Sequence, residues 1–122
     1  NEGICKSVVL RWRVKVIDGE SHETYIFENQ NWANKLISTF SLLKGLKGHV
    51  LAQVIVDKNE NLHLIEINPR LGGASPLALS AGLHSVKWSI LEFNEKSELI
   101  PKTPKIKTGL SLSKRDNKVS IF

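Results

Sequence analysis

Over residues 8–17 apolar and polar positions alternate. Val8, Leu10, Trp12, Val14 and Val16 fall on one side of an extended chain, and Arg11, Arg13 and Lys15 on the other. Asp18-Gly19 is a turn signal and residues 22–28 read as the returning strand, so the chain opens with a hairpin that has one apolar and one basic face. The period then lengthens. Trp32, Leu36, Ile37, Phe40, Leu43 and Leu46 recur at helical spacing across residues 31–47, with Asn29 or Asn31 as N-cap and Gly45 or Gly48 at the exit. A stripe of this kind is core packing. Residues 49–57 form a nearly continuous apolar strand broken by Gln53, residues 58–61 a polar turn, and residues 62–67 the next strand, which leaves its sheet before Pro69.

A loop, Leu71-Gly72-Gly73-Ala74, leads to Ser75-Pro76, a helix start with Ser75 as N-cap. That helix ends near Gly82, and a second, over residues 85–93, buries Val86, Trp88 and Leu91. Beyond Asn94 the composition shifts to Lys, Pro, Ser and Thr, with short closing strands at residues 109–112 and 118–122. The pattern predicts an α+β fold, an antiparallel sheet with flanking helices. Residues 1–95 form its core, and residues 96–122 are a basic connector and closing strands of the same domain.

Composition narrows the class. With 122 residues, 41% hydrophobic and 24% charged, the chain suits one compact globular unit and argues against disorder. No apolar run approaches the roughly 20 residues of a membrane span. Asn1-Glu2-Gly3-Ile4-Cys5-Lys6 lacks a secretory pattern, and the lone cysteine, Cys5, fits a reducing compartment, so a cytoplasmic location is expected. The absence of Met leads us to expect a segment of a longer protein. A net charge of +5 favours an anionic ligand, although the late cluster Lys102, Lys105, Lys107, Lys114, Arg115 and Lys118 reads as a solvated basic tail.

Chemistry enters at the second hairpin. With its turn centred between Asn59 and Glu60, Gln53 falls opposite Glu66 and Leu51 opposite Asn68. Opposed residues share a sheet face, as do residues two apart on one strand. Gln53, Glu66 and Asn68 therefore converge on one face, close in sequence to Arg70. Oxygen-bearing side chains beside a guanidinium suit a hard cation such as magnesium with a phosphate. The bland alternative is a solvated polar face that ends at a proline.

The run Gly48-His49-Val50 through Gln53, and above all Leu64-Ile65-Glu66-Ile67-Asn68-Pro69-Arg70-Leu71-Gly72-Gly73-Ala74-Ser75, resembles the C-terminal core of ATP-grasp enzymes. It is most similar to the carbamoyl-phosphate-synthase-like and carboxylate–amine-ligase-like branch. The resemblance covers roughly residues 3–95, including an Arg-x-Arg strand at Arg11 and Arg13 and the Gly19-Glu20 turn. It implies an incomplete ATP-grasp fold, its C-terminal subdomain. The implied enzyme is an ATP-dependent C–N ligase that activates a carboxylate as acyl phosphate for attack by an amine or similar nucleophile.

By position, the resemblance makes Gln53, Glu66 and Asn68 ligands of Mg2+ (two ions, with Mn2+ as a substitute). It makes Arg70 the catalytic arginine on the transferred phosphate. Arg11 and Arg13, on the support of their shared strand face alone, are expected on phosphate or on the substrate carboxylate, and with Gly72 and Gly73 they join Glu66, Asn68 and Arg70 as expected cofactor-binding residues, the glycine pair letting backbone approach substrate. The lid lysines and adenine-binding hinge of such enzymes lie upstream of this segment, so weak or absent turnover is expected of the chain alone. Its expected partners are ATP, a small carboxylate, a nucleophile and the rest of the domain, with self-association through surface that the rest of the domain would cover. Against these stand an inert remnant with an assembly role and a basic nucleic-acid-binding module. The second has no binding signature. His22, His49, His63 and His84 are scattered and read as structural or surface groups, Trp12, Trp32 and Trp88 as core, and Ser75 and Ser80 have no base nearby in sequence.

Overall fold

A computed structural model describes residues 3–116 and 118–122. Asn1 and Glu2, which open the segment read as non-secretory, and Asn117 lie outside the described residues. The chain is α+β, with antiparallel sheets and three α-helices among the described residues. Strands β1 (Arg11–Ile17) and β2 (Glu20–Ile26) form the first hairpin. Asp18 and Gly19 both take positive φ, 49° and 79°, the combination that lets a two-residue turn follow the right-handed twist of its strands. β5 (Ser111–Arg115) pairs with β2, and β6 (Lys118–Ile121) with β5, giving a four-stranded sheet in the order β1-β2-β5-β6.

β3 (Leu51–Val56) and β4 (Leu62–Asn68) form a separate two-stranded sheet. At its tip Asp57 accepts from the backbone N–H groups of Asn59 and Asn61, at 2.8 and 2.9 Å, and Glu60 turns left-handed at φ 61°. Near this tip Val56 pairs with Leu62 and Val54 with Leu64, so the turn centres on Asn59, not between Asn59 and Glu60. A bulge between Gln53 and Val54 takes up the offset, leaving Ile65 as the extra residue, and Gln53 faces Glu66 as expected.

The small core lies between the four-stranded sheet and α2 (Ser75–Ser80). Ile26 and Leu112 from the sheet meet Leu77 and Ala81, with Val9, Ile106 and Leu110 packed around them. The segment read as a connector runs against α2. Lys107 N–H donates to Ala81 O at 2.8 Å, and a Cβ on Gly82 would stand 2.6 Å from the Lys105 carbonyl oxygen.

Register also decides which face of the first hairpin is inside. Arg11 opposes Ile26, Arg13 opposes Thr24, and Thr24 opposes Leu112. The inward face therefore carries Arg11 and Arg13, while Trp12, Val14 and Val16 are 46%, 57% and 47% exposed. This reverses the expectation that Trp12 is core, because β2 brings its buried Ile26 and Thr24 to the arginine side. Trp12 instead joins an aromatic chain, 5.9 Å from Phe27, which is 5.9 Å from Trp32.

α1 (Gln30–Ser41) starts at Asn29, whose Oδ1 accepts from Trp32 N–H at 3.0 Å. It ends well before Gly45, and none of its residues is fully buried. Its apolar stripe borders a cleft and does not fill a core. In α3 (Ser85–Phe93) Trp88 is buried as expected, whereas Val86 is exposed and Leu91 only half-buried. No helix among the described residues is long and apolar enough to cross a membrane.

Candidate functional site

A cleft of about 930 Å3 opens between the arginine-bearing face of β1, the β3–β4 hairpin, and the apolar sides of α1 and α3. It lies within the range of small-molecule sites, about 300–1,000 Å3. Gln53 and Glu66 reach it from the hairpin, Arg11 and Arg13 from β1, and Arg70, Gly72 and Gly73 from the loop after β4.

Three of the expected side chains form one hydrogen-bonded group. Gln53 Nε2 donates to Glu66 Oε1 at 2.6 Å, and Asn68 Nδ2 donates to the same oxygen at 3.0 Å. Arg13 joins from the other sheet, its Nη1 donating to Gln53 Oε1 at 3.1 Å. The guanidinium is fixed by two further bonds, from Nη2 to Gly19 O at 2.7 Å and from Nε to Ser21 Oγ at 2.9 Å. A guanidinium so tethered is oriented before any ligand arrives.

Arg70 is not drawn into this group. It is exposed, and its Nη1 donates to Leu71 O at 3.2 Å. The glycine pair accommodates protein neighbours, since a Cβ at Gly72 would stand 2.6 Å from Leu51 Cδ2 and one at Gly73 2.8 Å from Lys114 Nζ. Both obstacles are ends of flexible side chains. Lys114 itself, read as part of a solvated tail, has a side chain only 17% exposed and binds Glu20 at 2.9 Å, which holds the Glu20 carboxyl below its usual range. No local signal marked it, because its position follows from the pairing of β5 with β2.

Ser75 also departs from expectation. It is the first residue of α2 and makes no cap bond. Its Oγ accepts from Gly72 N–H at 2.8 Å and lies 3.2 Å from His49 Nε2. His49 Nδ1 lies 2.7 Å from Ser85 Oγ. Burial, and secondarily the charge of Arg11, holds the imidazole below its usual pKa and favours the neutral ring. Ser75 thus does have a base beside it, but at 2% exposure its hydroxyl anchors the glycine loop and is no accessible nucleophile. His63 Nε2 sits 3.0 Å from Asp57 Oδ2 at the hairpin tip, a structural role.

The donor set can be tested against a magnesium nucleotide. No group of three or more His, Cys, Asp or Glu side chains suited to a metal occurs among the described residues. Glu66 is the one carboxylate in the hydrogen-bonded group, and its amide partners now direct NH2 toward it. A half-turn of the Asn68 amide places an oxygen there instead, whereas a half-turn of Gln53 also breaks its bond from Arg13 Nη1. One carboxylate and two amide oxygens fit a single hard cation that takes its remaining ligands from phosphate and water. The tethered Arg13 opposes a bare cation and favours one that arrives with an anion. No known family model, curated protein or solved structure matches the chain.

Proposed function

We propose that this chain is the metal- and phosphate-binding floor of an ATP-dependent carboxylate ligase of the ATP-grasp type. The observation that carries the reading is the meeting of Gln53, Glu66 and Arg13 at a cleft of ligand size, with Asn68 bonded to Glu66 behind them. Glu66, with the amide oxygens of Gln53 and Asn68, would hold a divalent cation, which supplies charge neutralisation for phosphoryl transfer. Arg13 orients a phosphate oxygen through its fixed fork. Arg70, exposed on the loop that follows, is able to swing toward the transferred group. Arg11 adds positive charge on the same side of the four-stranded sheet, and positive potential draws in a polyanion, while the charge of Lys114 is matched by Glu20.

The test is binding of Mg-ADP and Mg-ATP to this chain by calorimetry. Affinity should fall about tenfold or more when magnesium is chelated, and by a similar factor in Glu66→Ala and Arg13→Gln, each of which removes a charge-assisted contact. Magnesium-independent affinity, unchanged in Glu66→Ala, would sink the assignment. The inert-remnant reading draws on the same network, because both amides and Arg13 are already satisfied without a ligand. It expects no nucleotide binding at all.

A further inference from the structure

The two sides of α3 face different surroundings. Ser85, Trp88, Ser89 and Glu92 line the cleft. Val86, Ile90 and Phe93, at i, i+4 and i+7, form an apolar stripe on the opposite side of the helix. They are 43%, 57% and 89% exposed, the reverse of what an apolar stripe on a helix ordinarily does. The 3-10 turn Ser97–Leu99, packed against α3, adds an exposed Leu99. Whatever fills the cleft therefore leaves this stripe uncovered.

The chain as a whole exposes more surface than a lone folded domain. Its accessible area is 8526 Å2, against about 6,600 Å2 for a folded monomer of this mass. Charge then narrows what could cover the stripe. The chain carries +5, yet residues 85–99 hold two lysines against three glutamates. Two copies that meet there do not force the excess positive charge together. The outer face of β1 is also apolar, but its strand edge is broken by two irregularities around Lys15, a device that keeps sheet edges from pairing.

We propose that the outward stripe of α3 is the contact of a weak homodimer, in which two copies of the helix pack antiparallel about a two-fold axis at Ile90. The stripe is complementary to itself in that arrangement. Helical spacing puts Val86 and Phe93 on one flank of Ile90, and Lys87 and Asn94 on the other. The two-fold axis keeps each flank on its own side, so Ile90 meets its own copy and Val86 meets Phe93 of the second copy. Lys87 comes beside the far end of the second helix, where Asn94 caps it and Glu95 follows. There it gains a carboxylate and the partial negative charge of a helix C-terminus. A stripe of this kind buries on the order of 500 Å2 per copy, below the ~800 Å2 of a standard interface, which places the dissociation constant in the micromolar range. The proposal is independent of the ligase reading, because no residue of the stripe enters the cleft.

The experiment is sedimentation equilibrium of the chain, free of nucleotide and magnesium, across the micromolar range. A closed monomer–dimer equilibrium should appear, with no larger species. Ile90→Lys places two like charges at the axis and should raise the dissociation constant by about tenfold or more. Lys87→Glu should weaken the dimer, and Glu95→Lys added to it should restore the wild-type constant, since the pair is exchanged across the axis. Trp12→Ser, on the outer face of β1, should leave the dimer unchanged.

A wild-type chain that stays monomeric overturns the proposal. So does a dimer that survives Ile90→Lys, or one that Trp12→Ser abolishes. Open-ended association refutes it as well, because a two-fold contact closes. A double charge exchange that stays as weak as Lys87→Glu alone refutes the antiparallel pairing. Should Ile90→Lys fail to fold, Phe93→Ser, at the most exposed position of the stripe, decides in its place: weakened association upholds the contact and unchanged association refutes it. Magnesium-independent nucleotide affinity, unchanged in Glu66→Ala, removes the floor assignment and leaves the dimer standing.

Discussion

Asp57 shows how much one exposed carboxylate does when the backbone is folded around it. It accepts from His63, from the Asn61 side chain, and from two backbone N–H groups, and these bonds, His63 first, hold its carboxyl far below the usual range. A depressed folded pKa contributes stability above the unfolded value and loses it as pH falls. The hairpin tip should therefore loosen as pH drops below about 4, the unfolded pKa of Asp. Amide exchange at Asn59 and Asn61 reports it, and Asp57→Asn should show the same exchange at pH 7. His49 adds an earlier step of the same sign. Its folded pKa is lowered by burial and by Arg11, so the stability it confers is complete above about 6.5 and declines below. A His49→Gln variant should lose that upper step in a pH series of melting temperatures and keep the lower one.

Single backbone positions hold the elements against one another. Gly82 ends the segment after α2 at φ 109°, with the Lys105 carbonyl where a side chain would begin. Gly82→Ala combines an unfavourable φ with a clash against backbone, and should destabilise the chain by about 2–3 kcal/mol, measured by urea unfolding. The opposite sign is expected at the β3–β4 turn. Glu60 occupies the left-handed region at φ 61°, which costs an L-residue about 1–2 kcal/mol. Glu60→Gly should recover part of that, about 0.5 kcal/mol after the entropy of glycine is subtracted. The bulge beside Gln53 belongs to this scale as well. Without the extra residue, Ile65 would oppose Gln53, and the amide and carboxylate would not meet.

Across the whole molecule, stability depends on few residues. Ile26, Leu77, Ala81 and Leu112 form the fully buried cluster, while α1 contributes no buried residue and the outer face of β1 is open. Leu112→Ala, at 1% exposure, should cost about 2–5 kcal/mol, a large part of the stability of a domain this size. Loss of the cooperative melt would report it. The cleft is the counterpart of this small core. Side chains that would pack in a larger core, such as Trp32, Leu36 and Phe40, line a space of ligand size. The segment read as a basic connector is structural at this scale, because β5 completes the sheet and brings Lys114 to Glu20 and Gly73.

The sequence by itself determined the elements, since alternation and helical spacing are local, and turn residues such as Asp18-Gly19 announce themselves. The pairing of Gln53 with Glu66, expected from a turn centred between Asn59 and Glu60, is met only because a bulge offsets the actual turn centre at Asn59. Three features were decided only by tertiary structure. Which face of β1 turns inward depended on β2 bringing Ile26 and Thr24 opposite the arginines. The capture of Gln53 by Arg13, 40 residues away in the chain, depended on how two sheets came together. The holding of His49 between serines from two different helices, and the burial of Arg11 Nη1, depended on the packing of distant elements. Local pattern fixes period and turn. It carries no information about which distant residue will oppose a given face, and that decides where charge is left without a partner.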